Sequence, residues 1–305
     1  MFAIQAKSGF AKNGNPDPMS MSLLQVLIGG LMLGAVYALF SSGLTLIWGM
    51  MNVVNFAHGD FVMIAMYVAF MVWKLLGGGP FMAMPVAAMM LATLGIIVYF
   101  SLVRHVMKGP MLAQILGTFG LALLLRYGMF WTFGANFQSL PENLVGGTYD
   151  LWGIRIQASR LLAGSLAIVL TIALHLMLTR TSLGSKMLAV AEDSTAAQLM
   201  GIRPDRMQAI AWGLAAGLTG IAGALIATFF YISPTVGETL AIIAFVTVSL
   251  GGFGSITGAL VAGLLIGVIE SLSGYLIGAV YKDIVVYTIF IAVLWFRPQG
   301  LMGKN

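Results

Sequence analysis

The sequence predicts an all-α polytopic integral membrane protein of eight to ten transmembrane helices, with Gly-interrupted or re-entrant segments and a helix displayed on the cytoplasmic face. Three observations predict it. Of 305 residues 60% are hydrophobic and only 8% charged, with a mean hydropathy of +0.98, whereas a soluble domain carries about 25% charge. Charges are absent from Pro18 to Gly59, Leu75 to Val103, Leu161 to Thr179, Met207 to Gly237 and Thr239 to Ile269, stretches that match or exceed the roughly 20 residues needed to cross a bilayer. Glycine clusters interrupt the apolar runs, and non-helical backbone at membrane depth is tolerated only where protein or a water-filled cavity satisfies it.

Residues 1–20 form a polar N-terminal tail, and 21–305 read as one transmembrane domain. Translation starting at Met19 or Met21 would remove the tail. The following apolar run is too long for a signal-peptide core, so no cleavage is expected. Residues 22–76 hold either two long helices or three shorter ones, with breaks near Ser41-Ser42-Gly43 and from Gly49 to Gly59. Gly77-Gly78-Gly79-Pro80 ends that run. Spans follow near 81–101, 112–133, 161–179 and 209–231, separated by a basic turn at 104–110, a polar loop at 134–160 and a charged loop at 180–208. Residues 238–277 hold two spans divided at Gly251-Gly252-Phe253-Gly254, and a last span covers 283–296. Paired Gly-interrupted segments in the two halves point to a transport site.

Orientation follows from the positive residues. The side bearing Arg104, Lys108, Arg180, Lys186, Arg203, Arg206, Arg297 and Lys304 outnumbers the side bearing Lys74, Arg155, Arg160 and Lys282 by eight to four, and is therefore cytoplasmic. Lys7 and Lys12 lean the N-terminus inward as well, which requires three crossings within 22–76. The positive residues are scattered singly and do not indicate nucleic acid. The absence of cysteine excludes disulfides and thiol chemistry.

Within the charged loop, Ser185 is placed to cap a helix and Gly201 to end it in a left-handed conformation. Leu188, Ala191, Thr195 and Leu199 fall on one face beside Glu192-Asp193. A short amphipathic helix of this kind suits a groove on a soluble partner; the alternative is a solvated loop helix without a partner. Pro204 is placed as the first residue of the next helix.

Four motifs carry a resemblance. The segment Thr181–Ile202, the run Gly49-Met-Met-Asn-Val-Val-Asn-Phe-Ala-His-Gly-Asp60, the run Ser249-Leu-Gly-Gly-Phe-Gly-Ser-Ile-Thr-Gly-Ala259 and the ending Arg297-Pro-Gln-Gly-Leu301 occur in order. Together they resemble the permease subunits of branched-chain amino acid ABC importers, the LivH type, from about Ser22 to Leu301. The resemblance implies a multi-pass permease of the bacterial inner membrane, without enzymatic activity or cofactor. Its implied partners are a second permease subunit of the LivM type, two cytoplasmic ATP-binding subunits and a periplasmic substrate-binding protein. Gly184, Leu188, Ala191, Glu192, Asp193, Ala197, Leu199 and Gly201 are the positions expected to couple to the ATPases. The chain has no G-x-x-x-x-G-K-[ST] loop to hold nucleotide itself.

Candidates for the translocation pathway or a gate are Asn52, Asn55, His58, Gly59, Asp60, Gly251, Gly252, Gly254 and Glu270. Polar groups at membrane depth face cavities or each other. The cluster at 52–60 therefore reads as a gate or as a structural knot in which Asp60 pairs His58. One His and one Asp make a poor metal set. Glu270 pairs Arg126, lines the pathway, or carries a proton. Gly30/Gly34, Gly213/Gly217, Gly254/Gly258, Gly263/Gly267 and Gly274/Gly278 have the spacing of close helix contacts. Thr148–Ile156 is rich enough in β-formers for a short hairpin in the periplasmic loop, which is expected to help dock the binding protein; the alternative is a loop that only connects two spans. The expected cargo is leucine, isoleucine or valine. Urea, short amides or aromatic acids on the same architecture are the alternative, and a stand-alone ion-coupled transporter using Asp60, Glu270 and His58 is a further reading.

Overall fold

The computed structural model describes residues 18–141, 144–151 and 154–303; Lys7, Lys12, Glu142 and Lys304 lie outside them. Helix α1, Pro18–Met51, is followed by α2, His58–Leu76. Helix α3, Pro80–Val98, runs through a π-helical turn at Tyr99–Val103 into the short α4, Arg104–Val106. Then come α5, Met111–Phe133, and an antiparallel hairpin of β1, Thr148–Leu151, and β2, Ile154–Gln157. Helix α6, Ala158–Arg180, leads to α7, Ser182–Glu192, and α8, Ser194–Leu199. The chain ends with α9, Pro204–Ile226, α10, Val236–Gly251, α11, Ile256–Leu276, and α12, Lys282–Phe296. Among the described residues, seven helices are long and apolar enough to cross a membrane, and α10 is a shorter apolar one. The hairpin and the division at 252–255 match the sequence reading.

Residues 22–76 form two helices, not three. The expected break at Ser41-Ser42-Gly43 does not occur: Ser42 Oγ donates to Ala38 O at 2.6 Å, and Gly43 brings α1 against Ala215 of α9. Glycine here serves close approach, and α1 stays helical for 34 residues. The start of α1 lies on the hairpin side of the molecule, where Gly29 faces Arg160 and Ser22 Oγ meets Tyr275 Oη at 2.9 Å. Three crossings in this region are therefore corrected to two, and α1 starts on the side opposite the basic turn. The basic turn, α7, α8 and the C-terminal segment share the opposite side. Arg104 lies 3.9 Å from Asp205, and Met302 faces the same cavity as Leu188.

Small residues set the core because lipid offers no hydrophobic drive between helices, and close backbone packing must replace it. Helices α1 and α11 interlock through Gly30, Gly34, Gly263 and Gly267; a Cβ on Gly30 would meet Gly267 O at 2.8 Å. Helices α3 and α9 interlock through Gly95 and Gly220, with Gly213 and Gly217 against Ile96 and Ala88. The Gly274/Gly278 pair makes no such contact: Gly274 has only Lys282 at 4.0 Å, and Gly278 lies beyond the helix end at φ +112°.

Replacing Gly30 by Ala is expected to lower the melting temperature in detergent by several degrees, since overpacking costs about 1–3 kcal/mol. Gly120→Ala, at a position with nothing within 4 Å, should leave it unchanged. Thermal melts of the two variants check this.

Candidate functional site

The break between α1 and α2 is a non-helical segment at residues 52–57, and several of its backbone groups have identified partners. Asn52 ends α1 in the left-handed region at φ 55°, its N–H donating to Trp48 O at 2.8 Å, a role Asn fills nearly as well as Gly. The buried Asn55 accepts from Ala57 N through Oδ1 at 3.1 Å, and its carbonyl accepts from His58 N at 3.2 Å. Thr118 Oγ on α5 lies 3.0 Å from Val54 O, sharing its one proton with Gln114 O at 3.0 Å. Alternation is strict: Val53, Asn55 and Ala57 are buried, while Asn52, Val54 and Phe56 face outward at least in part.

His58 opens α2 well inside the span. Its Nε2 donates to Phe40 O at 2.7 Å and lies 3.4 Å from Thr219 Oγ. Only the Nε2–H tautomer suits a carbonyl, which can only accept. Phe40 stands eleven residues before the end of α1, about 16 Å up the helix. At the same level α10 also begins inside the membrane. The N-termini of α2 and α10 cross at Gly59 and Gly237, where a Cβ on Gly59 would overlap the Gly237 carbonyl and Ala241, and one on Gly237 would lie 2.7 Å from Asp60 Oδ1.

Each of these N-termini carries a carboxylate in its first turn, Asp60 and Glu238, as the positive end of the helix dipole favours. Arg126 joins them. Its Nε donates to Asp60 Oδ1 at 3.1 Å, its Nη2 to Asp60 Oδ2 at 3.3 Å and its Nη1 to Glu238 Oε2 at 3.0 Å. The side chain of Asp60 is fully buried, that of Arg126 is 16% exposed and that of Glu238 is 65% exposed. Asp60 therefore pairs Arg126 and not His58. Glu270 does not reach Arg126 either: it pairs Lys282 across the α11–α12 turn, a partner only twelve residues away. Sequence reasoning missed Glu238, and it considered Arg126 only as a partner for Glu270, not for Asp60 and Glu238. The available signal was the i, i+4, i+8 spacing of Thr118, Ala122 and Arg126, of which the first two are the buried residues of α5 and Arg126 is half-buried beside them.

From Glu238 the outward face of α10 continues through Ile242, Phe245 and Ser249. Phe245 packs on Phe56 with ring centroids 5.2 Å apart. An ionic cluster thus sits above an apolar aromatic pair, on one open face built by the break, α5 and α10.

Gly251, Gly252 and Gly254 belong elsewhere. They form a corner on the side of α7 and α8, where Trp48 packs on Phe253 with tilted rings 4.6 Å apart and Gly49 meets Gly254. The Arg297–Leu301 ending closes this corner: Leu301 N donates to Leu250 O at 2.8 Å and Met302 N to Gly251 O at 3.0 Å, satisfying carbonyls that the end of α10 leaves free. Asn52 and Gly254 line a cavity of about 680 Å³ there, together with His175, Leu188, Glu192 and Gln299.

The expected single coupling helix is two. Thr181, not Ser185, caps α7 by accepting from Gly184 N at 3.2 Å, and Asp193 breaks the run by capping α8 through Thr195 N and Ala196 N at 2.8 and 3.0 Å. Gly201 is left-handed at φ 81°, with Gly201 N on Gln198 O and Ile202 N on Ala197 O, the Schellman pattern. Gly184 and Ala197 are buried, and a Cβ on Gly184 would strike the Met177 and Leu178 carbonyls. Leu188, Leu199 and Met200 stand out at 46%, 86% and 82% exposed, with Glu192 and Asp193 also exposed and Ala191 half-buried.

A family model described as branched-chain amino acid transport system / permease component matches residues 26–294. The high-affinity branched-chain amino acid transport system permease protein BraD of Pseudomonas aeruginosa is 31% identical over 294 residues, covering 92% of this chain and 96% of its own. LivH of Escherichia coli K12 is 30% identical over 298 residues, with the same coverages of 92% and 96%. LivM of the same organism is 26% identical over 293 residues, covering 88% of this chain and 68% of its own. No solved structure matches.

Removing one member of a buried ion pair strands its partner and costs about 3–5 kcal/mol, while replacing both by apolar groups is far milder. Arg126→Met alone, which leaves the fully buried Asp60 without its cation, should therefore abolish recovery of folded protein from membranes, and Asp60→Leu with Arg126→Met should restore much of it. Fluorescence-detected gel filtration of the single and double variants checks the expectation.

Proposed function

Because the chain belongs to the branched-chain amino acid transport system permease family, we propose that it supplies one wall of a membrane pathway for leucine, isoleucine or valine. The wall is the face bearing Asn52, Val54, Phe56 and the outward stripe of α10. One observation carries this reading. Glu238 keeps a 65% exposed carboxylate thirteen residues, about 20 Å, from the Gly251 end of α10, inside a hydrocarbon layer of about 30 Å. A charge at that depth faces water or protein, not lipid. Asn55, His58, Gly59 and Asp60 then hold the wall in shape, and Asn52 with Gly251, Gly252 and Gly254 forms its inner end. Glu270, paired with Lys282, fastens α11 to α12 away from this face.

The opposite wall is a second permease subunit; the similarity of this chain to LivM as well as LivH supports a partner of related fold. Energy comes from separate ATP-binding subunits, engaged through Leu188, Leu199 and Met200 on α7 and α8. Gly184, Met187, Val190 and Ala197 root those helices against the ends of α6 and α9, so a push on them tilts both spans. The hairpin of 148–157, on the other side, docks a substrate-binding protein.

Reconstitution with the partner permease, the ATPases and the binding protein tests the reading: leucine uptake should require ATP and all partners. Gradient-driven uptake by this chain alone would reject it. Gly201→Pro, which forces a left-handed residue to φ near −65°, and Asp193→Lys, which removes a cap worth about 1 kcal/mol, should leave the complex assembled. Each should cut leucine uptake per ATP hydrolysed, and parallel uptake and phosphate-release assays read that ratio.

A further inference from the structure

The ionic cluster is not neutral. Asp60 and Glu238 contribute two carboxylates and Arg126 one guanidinium, leaving one surplus negative charge. The surplus is not shared evenly. Both oxygens of Asp60 are engaged by Arg126 and buried, whereas Glu238 gives only Oε2 to Arg126, and its Oε1 has no partner among the described residues. Arg126 in turn uses three of the five N–H donors of a guanidinium, and its side chain is 16% exposed. An open carboxylate oxygen thus stands beside unused guanidinium donors, on the face proposed to line the pathway. One and two helical turns further along the same face lie Ile242, 44% exposed, and Phe245, half-buried.

We infer that Glu238 and Arg126 form a recognition station for a zwitterionic α-amino acid, Glu238 taking the ammonium and Arg126 the carboxylate, with the aliphatic side chain laid on Ile242 and Phe245. The inference rests on the pathway reading above and gives it a chemical selectivity. A zwitterion brings no net charge to a low-dielectric site and matches both unused valences. Urea and simple amides carry neither charge, and aromatic acids lack the ammonium, so each leaves the surplus negative charge of the cluster unmatched. Asp60 is a positioning residue here: its two bonds fix the guanidinium plane and leave the remaining N–H groups free.

The experiment uses the complete transporter complex in proteoliposomes. Wild-type leucine uptake comes first; its absence would reject the pathway reading and not this inference alone. Given uptake, Glu238→Gln should lower it about tenfold or more, the usual loss when one charged partner is removed, with complex assembly kept and Glu238→Asp recovering much of the rate. Wild-type uptake by Glu238→Gln overturns the inference, and so does loss of assembly, which would make Glu238 a subunit contact. A second measurement exploits the cysteine-free sequence. Ile242→Cys should react about tenfold faster with a cationic than with an anionic methanethiosulfonate, as a local negative charge steers ions by such factors. Saturating leucine should slow the reaction, and adding Glu238→Gln should erase the preference. Equal rates for the two reagents, or a thiol that does not react, would overturn the assignment.

Discussion

Hydrocarbon offers no hydrogen-bond partners, so a chain that leaves helical geometry inside a membrane must supply a partner for every freed backbone group. Much of this molecule follows from meeting that demand over residues 52–57. Asn52 turns the chain out of α1, Asn55 bonds its own turn, and Thr118 reaches from α5 to Val54. His58 ties the start of α2 back to Phe40. Having begun α2 within the span, the chain places Asp60 there too, and a buried carboxylate needs a cation. Arg126 answers from α5, a helix with few other contacts to the bundle, and so the break determines where α5 sits. Gly59 and Gly237 then let α10 begin at the same depth, and Glu238 completes the cluster.

Two kinds of packing divide the labour. The α1–α11 and α3–α9 pairs close at glycines to near-backbone contact, giving interdigitated surfaces that do not deform continuously. Helix α5 is held differently, by one ion cluster, the Thr118 hydroxyl and the Tyr67–Phe133 ring contact at 4.4 Å. Its outward surface, including Leu116, Leu124, Tyr127 and Trp131, is exposed. A rigid block with one lightly attached helix beside an open charged face suits a pathway wall better than a closed channel.

How far the sequence disclosed this depended on the range of the interaction. Span positions, the hairpin at 148–157, the left-handed Gly201 and Pro204 at the head of α9 are local, and composition and spacing made them legible. The dip at 52–57 was legible as a break because its Asn, His and Gly residues cannot sit idle in lipid. Its partners were not. Asp60 and Arg126 are separated by 66 residues, and no periodicity connects two helices, so His58 was the nearer but wrong partner for Asp60. Glu270 was paired at long range for the opposite reason: Lys282 lay in a turn that looked external. Ser41-Ser42-Gly43 was misleading because small polar residues serve breaks and close helix contacts alike. Asp193 looked like part of an acidic face, although its strongest local tendency is to cap, and capping split the coupling segment in two.

The two candidate regions, one at membrane depth and one beneath α7 and α8, share α10. At its N-terminus α10 is clamped by the Gly59–Gly237 crossing and the Arg126–Glu238 bond; at its C-terminus it is clamped by Leu301 and Met302, which bond its last carbonyls. In the turn that follows, Phe253, Gly254 and Ser255 line the same cavity as Leu188 and Glu192 of α7. A helix held at both ends and unbroken between them transmits displacement along its axis. Movement of α7 and α8 against that turn would therefore reach Glu238 as a shift of the whole of α10 relative to α5. The bond most exposed to such a shift is Arg126–Glu238, since Asp60 holds Arg126 twice and Glu238 holds it once.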